Sequence, residues 1–340
     1  MTHLIELNNV SKLFGSKNNP TVALDNLNFT LEHKFPHIVT IAGESGSGKT
    51  TMMMLILGFY GPTFGEVKFD GKNIWKLDKE EMIYFRRNAQ AIFQDPFAVY
   101  NPFYKVDNLL SIPIKNFKIT KDKDEAREIM EAALRRVGLR PEETLGRYPH
   151  QMSGGQRQRI AVARALILQP KLLVADEPVS MVDASLRATI LKEIHELNVD
   201  LGIPILYITH DLTTAYHISD YIMVMYHGSV MEAGHVEDVI RDPKHPYTQL
   251  LVNSIPWPDP NIKWGEAAEG EAKGRTVTLR SGCKFANRCP KAFETCFETR
   301  PPFFMPNPHD VASCFLYQDQ PQLENRDLGA LFRNEPIIKT

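Results

Sequence analysis

The sequence has no apolar run long enough to cross a membrane. Its most apolar stretch, Met52 to Tyr60, is roughly half of the ~20 residues a spanning helix requires. Met1 to Val10 lacks a basic region followed by a long apolar run, so no secretory leader is expected. A surplus of one charge is also missing. Lys and Arg number 39 against 41 Asp and Glu, a formal net charge of -2, which leaves no broad basic surface for nucleic acid. Cysteine is scarce: all four, Cys283, Cys289, Cys296 and Cys314, fall in one C-terminal stretch. A chain of 340 residues buries enough apolar surface to need no disulfides. Clustered thiols in a reducing compartment point to metal more often than to crosslinks. The expectation is a protein that stays in the cytoplasm and meets a membrane only through partner proteins. Internal repeats and low-complexity tracts are absent, and 43% hydrophobic with 24% charged residues is ordinary for a globular protein.

What is present reads as α/β. Short β-rich runs, Leu4 to Val10, Leu27 to Leu31 and Glu66 to Phe69, are separated by Gly and Asn turn signals. Ile38 to Ala42 reads as a buried strand that runs into a glycine-rich segment. From Asp122 to Gly138, Ala126, Ile129, Met130, Ala133, Leu134 and Val137 recur at helical spacing, with Gly138 as the stop. Arg157 to Leu168 predicts a second helix ended before Pro170. Leu172 to Ala175 and Ile203 to Ile208 are continuous apolar runs, suited to interior strands of a parallel sheet. Helical stretches between them imply right-handed crossovers. Asp220 to Gly234 predicts a β-hairpin. Trp257 to Gly274 carries prolines, glycines and glutamates without periodicity and reads as a linker, and the tail from Gln318 onward is expected to be loosely ordered.

Gly43, Glu44, Ser45, Gly46, Ser47, Gly48, Lys49 and Thr50 match the phosphate-binding loop pattern, with Thr51 following. The glycines let the backbone wrap so that its N–H groups face phosphates, and the next helix adds its positive N-terminus. Lys49 is expected to reach the β- and γ-phosphates of ATP, and Thr50 to give its hydroxyl to Mg²⁺. The predicted strand Leu172 to Ala175 ends in Asp176 and Glu177. Asp176 is expected to hold Mg²⁺, directly or through water, and Glu177 to polarise the attacking water. Alone, an apolar strand ending in acids reads as a solvated strand end; beside a phosphate loop it reads as chemistry.

Phosphate loops occur in many enzymes. Met152, Ser153, Gly154, Gly155 and Gln156, continued by Gln158 and Arg159, resemble the signature of ABC-transporter ATPases. Spacing alone fits an N-capped helix equally well. Other motifs follow in that family's order. Gln94, within Phe93-Gln94-Asp95-Pro96, matches the glutamine that senses Mg²⁺ and the γ-phosphate. Ser180-Met181-Val182-Asp183 matches the loop at the dimer interface, and His210 the histidine that contacts the γ-phosphate. Phe14 matches the aromatic that stacks on adenine, with Val22 beside the ring. Departures are small: Met152 stands where leucine is usual, Met181 and Val182 where alanine and leucine are commoner, and Phe14 where tyrosine is usual. This resemblance covers roughly residues 4 to 255. A narrower one, to the oligopeptide/dipeptide importer group, lies in His150 to Gln156, in Asp242-Pro243-Lys244-His245-Pro246-Tyr247-Thr248, and in the cysteine segment.

The resemblance implies a cassette over 1–255 with a RecA-like α/β core, an antiparallel β subdomain and an α-helical signature subdomain at about 95–168. Residues 256–340 would form a linker and a small C-terminal cysteine-containing segment. It further implies that Ser153, Gly154, Gly155, Gln156 and Asp183 complete the ATP site of a second, similar ATPase subunit, as a heterodimer or a homodimer. Two transmembrane permease subunits would be driven through a groove near Gln94 to Leu110. An extracytoplasmic substrate-binding protein would act indirectly. Peptides are the implied cargo, oligosaccharides or nickel the alternatives. The rival class is a soluble ABC ATPase in DNA repair, translation or iron–sulfur assembly; its DNA-repair members insert long coiled coils and its translation members carry a second cassette, and the sequence has neither. The cysteine spacing, x5, x6 and x17, is looser than zinc knuckles and leaves zinc, an iron–sulfur cluster, plain buried thiols and a disulfide all open. The resemblance leans toward a [4Fe-4S] cluster on Cys283, Cys289, Cys296 and Cys314.

Overall fold

Two strands of 14 residues each open the chain, longer than the apolar runs predict. β1 (His3–Ser16) and β2 (Asn19–Glu32) pair antiparallel, with register shifts such as that between Leu7 and Val10. Such bulges bend and twist a ribbon while keeping it paired, so the pairing continues past the apolar stretch. β3 (Ile38–Ala42) is wholly buried and leads through the glycine loop into α1 (Lys49–Ile56). Within the predicted apolar stretch Met52, Met53, Leu55 and Ile56 are buried, whereas Phe59 and Tyr60 are exposed. β4 (Phe64–Phe69) pairs with β1, and β5 (Lys72–Asn73) closes a four-stranded antiparallel sheet in the order β2-β1-β4-β5. The computed structural model describes residues 3–16, 19–95, 100–180, 182–255, 281–323 and 327–333, side chains at 19 and 184–186 excepted. Pro96, Met181 and the predicted linker Trp257 to Gly274 lie outside these.

The chain divides into two units, Met1–Trp75 with Tyr207–Thr340, and Lys76–Leu206. In the second, α2 (Lys79–Asn88) starts at a capping box, in which Asp78 accepts from the Glu81 N–H and Glu81 from the Asp78 N–H. β6 (Ala89–Ile92) follows. Next come α3 (Val106–Asn116), α4 (Lys123–Arg136), α5 (Pro141–Thr144) and α6 (Gly154–Leu166); α3, α4 and α6 pack on one another. Asp122 caps α4 by accepting from the N–H groups of Asp124 and Glu125, and Gly138 stops it at φ 66°, as its place in the sequence predicts. β7 (Leu172–Asp176) lies parallel to β6, and α7 (Ala184–Leu201) completes the unit.

β8 (Ile205–Thr209), fully buried, carries the chain back to the first unit. α8 (Leu212–Ile218), β9 (Tyr221–Tyr226), β10 (Ser229–His235), α9 (Val236–Arg241) and α10 (Pro246–Asn253) follow. β9 and β10 form the expected hairpin, and β9 runs parallel to β3. The cysteine segment holds α11 (Glu294–Glu298), β11 (Phe304–Asn307) and β12 (Asp310–Ala312). β12 pairs antiparallel with β10 through Glu232↔Ala312, Ala233↔Val311 and Gly234↔Asp310, so this unit reads β11-β12-β10-β9-β3. Pro308 and His309 make the turn between β11 and β12, where Asn307 faces Asp310.

The tail departs from expectation where it is described. Leu328–Arg333 forms a 3-10 helix on β2. Thr30 Oγ1 donates to the Asp327 carboxylate, Arg333 Nε donates to Glu32 Oε1 at 2.9 Å, and the Phe332 ring sits 5.9 Å from Phe29 and 4.9 Å from Tyr221. Buried aromatic contact offsets the entropy of ordering a short segment that has no helical periodicity to announce it.

Candidate functional site

In the first unit the phosphate loop is shaped by what its backbone must pass. Gly43 has φ 145°, and a Cβ there would lie 2.2 Å from the Met225 carbonyl oxygen. Gly48 has φ 107°, and its Cβ would lie 2.5 Å from the Ala23 carbonyl. Only glycine fits either place. The Gly228 N–H, at the β9–β10 turn, donates to the Ser47 carbonyl at 2.8 Å, and the Glu44 N–H donates to Tyr247 Oη at 2.9 Å. Lys49 is 7% exposed and donates to the carbonyls of Gly43 (2.7 Å) and Glu44 (2.8 Å). Ser45, Gly46 and Thr50 are exposed, Ser47 is buried, and Thr51 sits in the first turn of α1. The loop thus presents its backbone, the start of a helix and a cation at one place, which is what binding a polyphosphate requires.

Phe14 is 39% exposed near the end of β1, with Tyr60 edge-on at 5.7 Å and the Lys12 ammonium 5.1 Å above its ring. Val22 pairs with Leu13, one residue along from Phe14. His210 is exposed just past β8. Its loop is fixed by Thr209 Oγ1, which accepts from the Asp211 N–H, and by Asp211, which caps α8.

In the second unit, parallel register brings two of the predicted residues together. Ile92 of β6 stands opposite Ala175 of β7. Gln94 and Glu177 each lie two residues beyond that pair, and Gln94 Nε2 donates to Glu177 Oε2 at 3.1 Å. Asp176 ends β7. Glu177 has φ 44°, and its carbonyl accepts from the N–H and Oγ of Ser180 at 3.1 and 3.0 Å. A non-glycine residue in the left-handed region is uncommon and marks a backbone held by its surroundings.

Ser153 is the N-cap of α6. Its Oγ accepts from the Gln156 N–H at 3.2 Å, and Gln156 Oε1 accepts from the Ser153 N–H at 3.0 Å. The signature residues therefore form a capping box, and Ser153, Gly154 and Gly155 open a helix whose first turn carries no acidic residue. Asp183 is the exposed N-cap of α7.

The four cysteines, free thiols scattered over 32 positions of sequence, line one cavity together with His245 and Phe315. Burial pushes the Cys283 thiol up to about 12 and Cys314 up to about 11, and raises Cys289. His245 Nδ1 accepts from the Tyr247 N–H, while the buried Nε2 makes no hydrogen bond among the described residues. Burial lowers the ring to about 3, so it is neutral. Four thiols around one void suit a thiolate-bound group as a donor set. Even so, among the described residues no three His, Cys, Asp or Glu side chains are grouped as ligands of one ion. The geometry supports a shared thiol-lined cavity and does not support the expected cluster as a formed metal centre.

Sequence reading missed what holds the loop from the C-terminal side. Glu232 accepts from the N–H groups of Lys244 and His245, which pins the start of α10, and Tyr247 on α10 then reaches Glu44. This is the structural content of the Asp242 to Thr248 run. Arg288 bonds to Glu44 as well. Its only signal in the sequence was adjacency to Cys289.

A family profile described as ABC transporter matches residues 24–180, and one described as oligopeptide/dipeptide transporter, C-terminal region, matches 231–296. The oligopeptide transport ATP-binding protein OppF of Haemophilus influenzae is 36% identical over 312 residues, 91% of this chain and 93% of that protein. OppF of Escherichia coli is 40% identical over 264 residues, 77% of this chain and 78% of that one. A solved dimeric ATP-binding cassette, in a post-hydrolysis state with ADP and phosphate, superposes with a TM-score of 0.61 at 29% identity, covering 68% of this chain and 98% of that one. The fold is that of the ABC ATPase cassette, and the chain belongs to the ABC transporter ATP-binding proteins of the oligopeptide/dipeptide group.

Proposed function

We propose that this chain hydrolyses ATP as the motor subunit of a peptide importer. In this reading it sits at the cytoplasmic face of the membrane, beside two permease subunits and a second ATPase. No helix among the described residues is long and apolar enough to span a membrane, which suits a peripheral subunit. The observation that carries the reading is the pair Gln94–Glu177, a carboxylate held by a glutamine at the ends of two parallel strands.

The roles follow from donor chemistry. Lys49 and the loop N–H groups neutralise and orient the β- and γ-phosphates, and Phe14 gives adenine a stacking face with Val22 nearby. Thr50, Asp176 and the amide oxygen of Gln94 are hard oxygen donors, the set Mg²⁺ takes; that ion would spread charge off the phosphate oxygens. Glu177 orients and polarises the attacking water, and His210 stabilises charge on the γ-phosphoryl oxygens. Ser153, Gly154, Gly155, Gln156 and Asp183 serve the nucleotide of the partner ATPase. ATP binding closes the two cassettes, and release after hydrolysis resets the permeases. Glu177→Gln tests this. It should bind ATP, trap a closed dimer and lose turnover, and wild-type turnover in that variant overturns the role of Glu177.

We further propose that the cavity of Cys283, Cys289, Cys296 and Cys314 takes an iron–sulfur cluster. What motivates the proposal is that four sulfur donors line one cavity, although they are not drawn together as ligands of one ion among the described residues; no step of ATP chemistry runs through it. Iron and sulfide analysis after anaerobic purification decides: about four of each per chain supports it, and zinc or no metal overturns it.

A further inference from the structure

Glu44 places a carboxylate inside the phosphate loop, where an incoming triphosphate would meet a like charge. The structure supplies the counter-charge from far along the chain. Arg288 Nη1 donates to Glu44 Oε2 at 2.9 Å and Nη2 to Glu44 Oε1 at 3.1 Å, a two-pronged pair. Nη1 also donates to Tyr226 Oη at 3.3 Å, and the guanidinium lies 5.6 Å from the ring centres of both Tyr226 and Phe285. Those rings pack on each other and on Tyr247, whose hydroxyl accepts from the Glu44 N–H. Side chain and backbone of Glu44 are thus both held from the part of the chain that follows β10, by Arg288 and by Tyr247. Arg288 itself is fixed by the 3-10 turn Ala286–Arg288, set between Cys283 and Cys289. There the Arg288 N–H donates to the Phe285 carbonyl at 2.9 Å.

We propose that Arg288 is a positioning residue for ATP binding: it neutralises Glu44 and holds that carboxylate away from the phosphates. The inference rests on the reading of Gly43 to Thr50 as the phosphate site. Arg288 and Glu44 are 45% and 38% exposed, and an exposed ion pair adds little to stability. Its consequence falls on the charge that the triphosphate meets. Planar two-pronged pairing also fixes direction, which a lysine ammonium does not.

The test is ATP turnover by the full chain in its assembled transporter. Arg288→Ala should raise KM for ATP about three- to tenfold, more at low salt, with kcat within about twofold. Arg288→Lys should fall between. With Glu44→Gln already present, Arg288→Ala should change KM by less than about twofold, because no charge remains to neutralise. An unchanged KM in Arg288→Ala overturns the proposal. A KM penalty that persists in the Glu44→Gln background also overturns it, since that outcome marks a packing role. Melting temperatures identify a variant that fails to fold, and Arg288→Lys then carries the same comparison. Lys49→Ala separates the two readings. If it binds ATP like wild type, the phosphate-site reading fails. If it loses ATP while Arg288→Ala is silent, only the present inference fails.

Discussion

Gln94 and Glu177 meet through one hydrogen bond of 3.1 Å, each two residues beyond the facing pair Ile92 and Ala175. The parallel ladder sets this contact, and the bond constrains the Glu177 side chain where its own backbone is strained. Gln94→Ala should therefore lower kcat by about 10- to 100-fold, with a smaller change in melting temperature than any buried β6 substitution produces. Steady-state kinetics beside calorimetry reads both.

Gly43 is the tightest point of the phosphate loop. A methyl there would meet the Met225 carbonyl at 2.2 Å with φ at 145°, so Gly43→Ala must move β3, β9 or the loop. The expected loss is about 2–4 kcal/mol of stability together with ATP binding, measured by denaturant melts and by a fluorescent nucleotide.

Glu193 gives a pH dependence. It lies on α7, 3.6 Å from Arg159 on α6, and burial raises its carboxyl to about 7 despite that cation. The folded state thus keeps a proton that the unfolded state has released. Its contribution is fully present below the ordinary range near 4.5 and declines as pH climbs toward 7. Melting temperature should fall over that window, and Glu193→Gln should flatten the slope. An identical slope in the variant removes Glu193 as its cause.

The docked tail has its own test. A Cβ on Gly329 would lie 1.8 Å from Thr30 Oγ1. Gly329→Ala should cost about 1–3 kcal/mol if Leu328–Arg333 seats on β2 in solution, and hydrogen exchange at β2 should rise in parallel. No change in either measurement removes the docked tail.

How much of this was legible depended on distance along the chain. The phosphate loop, Asp176 with Glu177, and the Ser153 helix start are local patterns, each carried by a few adjacent residues whose chemistry dictates their backbone. α6 still begins three residues before Arg157, because the cap at Ser153 outweighs the poor helix propensity of two glycines. Contacts set by tertiary register were invisible. Gln94 and Glu177 are 83 residues apart, and Arg288 and Glu44 are 244 apart; no periodicity encodes either. The cysteine segment read as a metal-binding appendage, yet β12 made it part of the cassette's own sheet, a pairing that three short residues could not announce.

That shared sheet bears on any attempt to trim the protein. Cutting the chain after Ile255 would strip β12 from β10 and leave the N–H and C=O groups around Glu232, Ala233 and Gly234 without their ladder. An uncovered strand edge is a template for pairing with other chains. Two buried acids, Glu232 and Asp310, meet at the same seam, so the cut would also hydrate a carboxylate the intact protein keeps dry. A bare cassette lacking its last 85 residues should aggregate on expression, and co-expressing the missing piece should restore solubility.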